Sequence, residues 1–183
     1  MGKRLLQSAF LILSLSSSAN AQGASSDFSG RLAEADRLAW LTNWHEALPI
    51  YTEVEQAASK AGNRRDALYA KFGRLRGQMQ ILPLPDISEQ IATDLDTSLA
   101  KQDRRLRLRG LTVKGDIDFE WDVLAAERDW REVRQLGREL KEAGLENRAN
   151  GELGMVAFLK GNTGEATRLV QQAYQTAEKN GDI

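Results

Sequence analysis

Two runs with helical apolar spacing, joined by a glycine, limit what the C-terminal part of this chain can become. In residues 163–182, Ala166, Leu169, Val170, Ala173 and Ala177 recur at the intervals of one helix face. Leu153, Val156 and Ala157 do the same in the preceding run, and Lys160-Gly161-Asn162 lies between the two. Glycine enters the left-handed conformation that ends a helix without steric cost, so the chain stops and reverses there. The product is a helical hairpin about 34 residues long. One hairpin cannot bury its own apolar face, so about three or more have to stack.

Particular residues of this segment match a known pattern. Leu153 and Gly154 stand as a Leu-Gly pair in the first helix, Phe158 takes a position where a large aromatic is common, and Ala166 and Ala173 are the small residues that let the second helix approach closely. With these residues the segment resembles a tetratricopeptide repeat, although no Trp opens its first helix and the terminal Pro is missing. The resemblance implies an all-α chain wound as a right-handed α-solenoid of stacked antiparallel helix pairs. It also implies a concave groove, lined by the first helices, that holds a protein or peptide partner. Extrapolated from the best-matching units, that groove takes Arg64, Lys71 and Arg74 from the second unit and Arg148, Met155 and Phe158 from the fourth. Cations beside an apolar patch suit an extended peptide with acidic and apolar side chains. Repeats that clamp a C-terminal carboxylate carry a Lys and Asn set in their first unit. Leu32 and Asp36 stand at those positions here, so that role is not carried over.

The remaining units follow along the chain. Leu32, Ala35, Leu38 and Ala39 share a face, and Trp40-Leu41-Thr42-Asn43 followed by Trp44-His45-Glu46-Ala47 resembles the turn and the start of a second helix continued by Tyr51, Val54 and Ala58. Pro49 falls near that helix's start, where its missing N–H does least harm. Ala61-Gly62-Asn63 closes the first unit, and Asn63-Arg64 opens the second as Asn147-Arg148 opens the fourth. Pro83 and Pro85 interrupt the second unit, after which Asp86 or Ser88 is expected to cap a helix carrying Ile91, Leu95 and Leu99. Two registers are open for the third unit. One makes Lys114-Gly115-Asp116 the turn between a helix over roughly 103–114 and another over about 122–143. The other sets Asp129-Trp130-Arg131 at a second-helix start, like Asn43-Trp44-His45. The first is favoured because Gly110 and Gly115 weaken a helix running through them. Asn180-Gly181-Asp182 repeats the junction after which a new first helix begins, so the repeat domain, residues 31–183, is expected to continue beyond Ile183 or to self-associate through its open end.

The N-terminus reads differently. Lys3 and Arg4, an apolar run over Leu5–Leu15 and the small-x-small Ala19-Asn20-Ala21 form a secretory signal peptide, residues 1–21, cleaved after Ala21. The apolar run is shorter than the roughly 20 residues of a membrane span. Residues 22–30 are rich in Gly, Ser and Ala and read as a flexible linker. The chain is therefore expected to be exported, to the periplasm or outside the cell. Its 183 residues carry a formal net charge of −1, which gives no reason to expect a nucleic-acid partner. The absence of Cys excludes disulfides, thiolate metal sites and a cysteine nucleophile.

The remaining chemistry-bearing residues read as structural. His45 is the only histidine, and no nucleophile or further ligand accompanies it in the pattern. Asp116, Asp118, Glu120, Asp122 and Glu127 have the spacing of a calcium loop, but Trp121 stands where the loop needs glycine. They read instead as an acidic connector at a helix start. Arg104, Arg105, Arg107 and Arg109 lack interleaved aromatics and read as a solvated face paired with nearby acids. Trp44 and Trp130 read as wedges between helices. No metal, cofactor or enzymatic activity is expected. The function expected is that of an exported binding scaffold, or of the sensory front end of a larger polypeptide.

Overall fold

A computed structural model of the chain describes residues 21–181. The expected signal peptide falls in residues 1–20, outside the described residues, apart from its last residue. Every regular element among the described residues is a helix: α1 (Ala21–Trp40), α2 (Trp44–Lys60), α3 (Arg64–Gly77), α4 (Leu84–Leu95), the short α5 (Ser98–Gln102), α6 (Arg104–Asp118), α7 (Val123–Leu140), α8 (Ala143–Leu159) and α9 (Thr163–Asn180). The chain is all-α and repeat-like. Consecutive helices pack side by side, except that α4 packs chiefly on α6 rather than on α3.

Four of the reversals share one hydrogen-bonded turn. In each, an amide reaches back to a carbonyl five residues earlier: Asn43 to Leu38 at 2.9 Å, Asn63 to Ala58 at 2.9 Å, Glu142 to Gly137 at 2.8 Å and Asn162 to Ala157 at 2.8 Å. This is the Schellman closure, which needs a left-handed residue one position before the donor. Gly62 (φ 73°) and Gly161 (φ 80°) supply it in two turns, and Thr42 (φ 58°) and Lys141 (φ 60°) in the others. The glycine turns are visible in the sequence. The turn at Thr42 shows only through the family resemblance over residues 40–43, and the turn at Lys141 is not visible.

Side-chain caps begin several helices. Asn63 accepts from the Asp66 amide, Asp103 from that of Leu106, and Asp122 from those of Leu124 and Ala125. Neither Asp86 nor Ser88 caps α4. The N-cap is Pro83, Pro85 sits in the first turn where its lack of an N–H is harmless, and Ser88 is buried. Leu99 does not continue α4 either. Extended backbone at Thr97 breaks the helix, and the Thr97 hydroxyl caps α5.

The core runs along the chain in two adjoining clusters. Leu32, Ala35, Leu38, Ala47, Tyr51 and Val54 form one. The other reaches from Phe72 through Ile87, Leu106, Trp130 and Val133 to Leu169, and Tyr69 touches both. Residues 22–30, expected to be a linker, belong to α1, and Phe28 packs on the first cluster one turn before Leu32.

In the third unit neither register holds. Lys114-Gly115-Asp116 is inside α6, the chain reverses at residues 119–122, and Trp130 lies in mid-α7. The favoured register found the right helix pair with the wrong turn. A Cβ on Gly115 would stand 2.9 Å from Cε2 and Nε1 of the fully buried Trp130, and one on Gly110 would stand 2.7 Å from Leu95 Cδ2 and 2.8 Å from Phe72 Cζ. Both glycines are in α6 because neighbouring side chains occupy the space of a Cβ.

Gly115→Ala is accordingly expected to destabilise the chain by about 1–3 kcal/mol in urea unfolding. Gly144→Ala, in the first turn of α8 with open space around it, should be neutral or stabilise by up to about 1 kcal/mol. A neutral Gly115→Ala would mean that Trp130 does not rest on α6.

Candidate interaction cleft

On α6, Arg109, Thr112, Val113 and Asp116 stand at i, i+3, i+4 and i+7 and so share one face. They line a cleft of about 330 Å³ together with Asp36, Ala39 and Trp40 of α1, Trp44 of α2, Arg76 of α3 and Arg148 of α8. Helices far apart in the chain thus meet at one surface. Trp40 is 81% exposed.

One end of the cleft is built on Asp36. Its carboxylate accepts from the Tyr51 hydroxyl at 2.5 Å, the Tyr69 hydroxyl at 2.6 Å and Arg109 Nη2 at 2.9 Å. The same Nη2 lies 3.1 Å from the Tyr51 hydroxyl oxygen. The Arg109 guanidinium lies over the Tyr69 ring at 5.0 Å and 6.0 Å from the Tyr51 ring centre. Burial pushes the Tyr69 phenol up to about 12, with the Asp36 charge adding and Arg109 opposing. Burial raises Tyr51 as well. Both hydroxyls therefore remain protonated donors at neutral pH. Arg109 Nε is buried and makes no hydrogen bond.

The other end is built on Asp116. Arg76 Nε donates to it at 3.0 Å and Arg148 Nη2 also donates to it, so one carboxylate joins α3, α6 and α8. Arg148 Nε is 3.5 Å from Glu152, whose carboxyl is raised by burial, with Arg148 opposing and Asp116 adding. Each guanidinium also covers a Trp: Arg76 lies 5.5 Å from the centre of the Trp44 ring and Arg148 5.1 Å from that of Trp130. The cleft can offer aromatic surface and guanidinium N–H groups to a ligand, while its charges already hold the helices in place.

A separate polar cluster lies behind α6. Lys114 Nζ donates to Asp118 at 2.5 Å and to Asp129 at 2.9 Å, and Trp121 Nε1 donates to Asp118 at 3.1 Å. Asp118 is fully buried, so two carboxylates share one ammonium away from water. Burial, opposed by Lys114 and reinforced by Asp118, pushes the Asp129 carboxyl up to about 7.

The acids of the calcium-like spacing point to different partners. Asp116 faces the cleft, Asp118 holds Lys114, Asp122 caps α7, and Glu127 takes Lys160 and Arg131. In the arginine run, Arg104, Arg105 and Arg107 pair with Glu139, Glu142 and Glu132. Only Arg109 turns into the cleft. His45 is exposed on α2 beside Trp44, Leu48 and Thr52.

The residues inferred from repeat geometry are spread over several surfaces. Arg64 and Lys71 line a different cleft, between α2, α3 and α4, where Lys71 pairs with Asp94 at 2.6 Å. Arg74 is held by Glu55 at 2.5 Å and by Gln78. Met155 and Phe158 are exposed on α8, and Arg148 alone of the set lines the cleft described here. Asp36, Trp40, Arg76, Arg109 and Asp116 were not anticipated as site residues. The signal available in the sequence was the polar stripe Arg109-Thr112-Asp116, placed between apolar stripes on one helix.

Asp36→Ala is expected to cost about 2–4 kcal/mol in urea unfolding, because it strands the Arg109 charge and two phenols. Asp36→Asn, which keeps an acceptor, should cost less. Asp129 predicts a pH dependence of defined sign. An unfolded Asp ionises near its ordinary 3.8, whereas folded Asp129 holds its proton up to about 7. Between these values the folded state binds the extra proton, so this group's stabilisation is lost as pH rises toward 7. Relative to Asp129→Asn, the parent chain should lose about 2–4 kcal/mol across that window in unfolding curves taken at successive pH values.

No protein-family model matches this chain, and no curated protein matches it either.

Proposed function

We propose that this chain is an exported binding scaffold, a right-handed α-solenoid of the tetratricopeptide type. It holds an extended segment of another protein in the cleft between α1, α3, α6 and α8, and carries out no bond chemistry of its own. The observation that carries this reading is the convergence of Arg76, Arg109 and Arg148, with Trp40 and Trp44, on one cleft from five helices. Trp and Arg are the residues that most often anchor a protein partner. An acidic group in the segment would be received by the N–H groups that Arg76 and Arg148 leave free of Asp116, and an apolar neighbour by the Trp40 face. Export follows from the signal peptide read in residues 1–21, with the mature chain beginning at Gln22.

A second reading is favoured by a different observation. Met155, Phe158, Leu159, Val170 and Tyr174 are all exposed large apolar side chains, and all lie on α8 and α9. Covered by a second copy or by further helices of a larger polypeptide, they would make the chain part of a longer array.

Selection of peptides from a displayed random library against the purified chain tests the first reading. Trp40→Ala and Arg148→Gln should each weaken a selected peptide about tenfold, and Arg64→Glu should leave it unchanged. Far-UV circular dichroism verifies that the variants fold. The opposite pattern would assign the peptide to the cleft between α2 and α4.

A further inference from the structure

A second cleft, of about 290 Å³, lies between α7, α8 and α9, and its charges are arranged differently. Its cations are Arg131 and Arg134 of α7, Lys160 at the end of α8 and Arg168 of α9, against the carboxylates of Glu127 and Glu165. Glu127 takes two of the cations, Arg131 at 2.6 Å and Lys160 at 2.6 Å. Their charges hold Glu127 below the usual carboxylate range, the Lys160 hydrogen bond most of all. Among the described residues, Arg134 and Arg168 make no ion pair and no side-chain hydrogen bond, and neither does Glu165. Four cations face two carboxylates, which leaves two positive charges in excess. In the first cleft, by contrast, each arginine holds a carboxylate.

We infer that the cleft between α7, α8 and α9 binds a phosphate monoester through Arg134 and Arg168. A guanidinium presents parallel N–H groups that fit two oxygens of one phosphate, and Arg134 and Arg168 both have that fork unoccupied. A phosphate monoester carries about −1.5 to −2 at pH 7, which balances the excess, whereas a single carboxylate would leave one charge over. The volume receives a phosphate and a small organic group. It is too small for a helix or a duplex. Leu153 and Val156 of α8 form the floor of the cleft but are buried, so the surface offered to a ligand is polar. This site shares no residue with the cleft of the proposed function, and neither reading depends on the other.

The test is calorimetric titration of the purified chain with phenyl phosphate, and with benzoate at the same ionic strength, since screening would otherwise confound the comparison. Phenyl phosphate should bind saturably, and at least about tenfold more tightly than benzoate. Arg134→Gln and Arg168→Gln should each lower the affinity about tenfold or more, while Arg134→Lys and Arg168→Lys keep part of it. Neither arginine supports an ion pair, so the unliganded variants should unfold at the parent's urea midpoint. Arg148→Gln should bind phenyl phosphate as the parent does, which separates this site from the first cleft. Cosedimentation with phosphatidylcholine vesicles containing phosphatidic acid distinguishes the source of the phosphate. Binding to the vesicles assigns a lipid headgroup, and binding only to phenyl phosphate assigns a soluble ester. Equal affinity for benzoate, unchanged affinity in both Gln variants, or no binding to either phosphate probe overturns the inference.

Discussion

Gly110 and Gly115 set the distance between α6 and the helices around it. With no Cβ at either position, Phe72 of α3 and Leu95 of α4 rest on the backbone at one, and the indole of Trp130 of α7 rests on it at the other. Each glycine costs helix propensity, about 1 kcal/mol relative to alanine. Each also permits close packing of a large apolar side chain, and full burial of such a group is worth about 2–3 kcal/mol. Packing outweighs propensity here, so α6 stays helical through both. The exchange also explains why α4 packs on α6: the loop around Pro83 frees it from α3, and the hollow at Gly110 receives Leu95.

The same proximity creates the polar architecture. Because α6 lies against α3, with α1 beside it, Arg109 reaches Asp36, Tyr51 and Tyr69, and Asp116 reaches Arg76 and, across α8, Arg148. A partly buried charge is held best where partners converge on it, and the two phenols complete the coordination that Asp36 begins. The cleft is thus framed by the apolar packing at Gly110 and Gly115, which flank its stripe on α6.

What the sequence disclosed divides along the same line. Turns at Gly62 and Gly161 were legible because glycine at a helix end has a local meaning. Thr42 and Lys141 make the same turn but carry no such mark, since their left-handed backbone is imposed by the hydrogen bonds around them. The helical class and the apolar stripes of α1, α2 and α9 followed from spacing. Gly115 was misread because its role is set by Trp130, fifteen residues away, and a glycine that ends a helix looks the same in sequence as one that admits a ring. The cleft residues were hidden for a related reason. Arg64, Lys71 and Arg74 were chosen by aligning units, yet on α3 it is Tyr69 and Arg76 that turn toward α6, and a shift of two residues on a helix exchanges its faces. The stretch 22–30 was read from composition alone, and the contribution of Phe28 to a helix depends on a core that composition does not describe.

The two clefts use similar residues to opposite electrostatic ends. In the cleft built on α6, every guanidinium already holds a carboxylate, so an incoming anion meets a paired charge and only the N–H groups left over. Desolvation of Trp40 and Trp44 adds to what those N–H groups supply, and the charges also reject segments of the wrong sign or shape. In the cleft between α7 and α9, Arg134 and Arg168 are paired with no carboxylate among the described residues, so attraction is direct and sensitive to salt. Glu127 draws off the charge of Arg131 and Lys160 and fixes those side chains as walls. Internal pairing therefore decides which arginines serve as structure and which remain open to a ligand, and counting arginines along the chain does not reveal it.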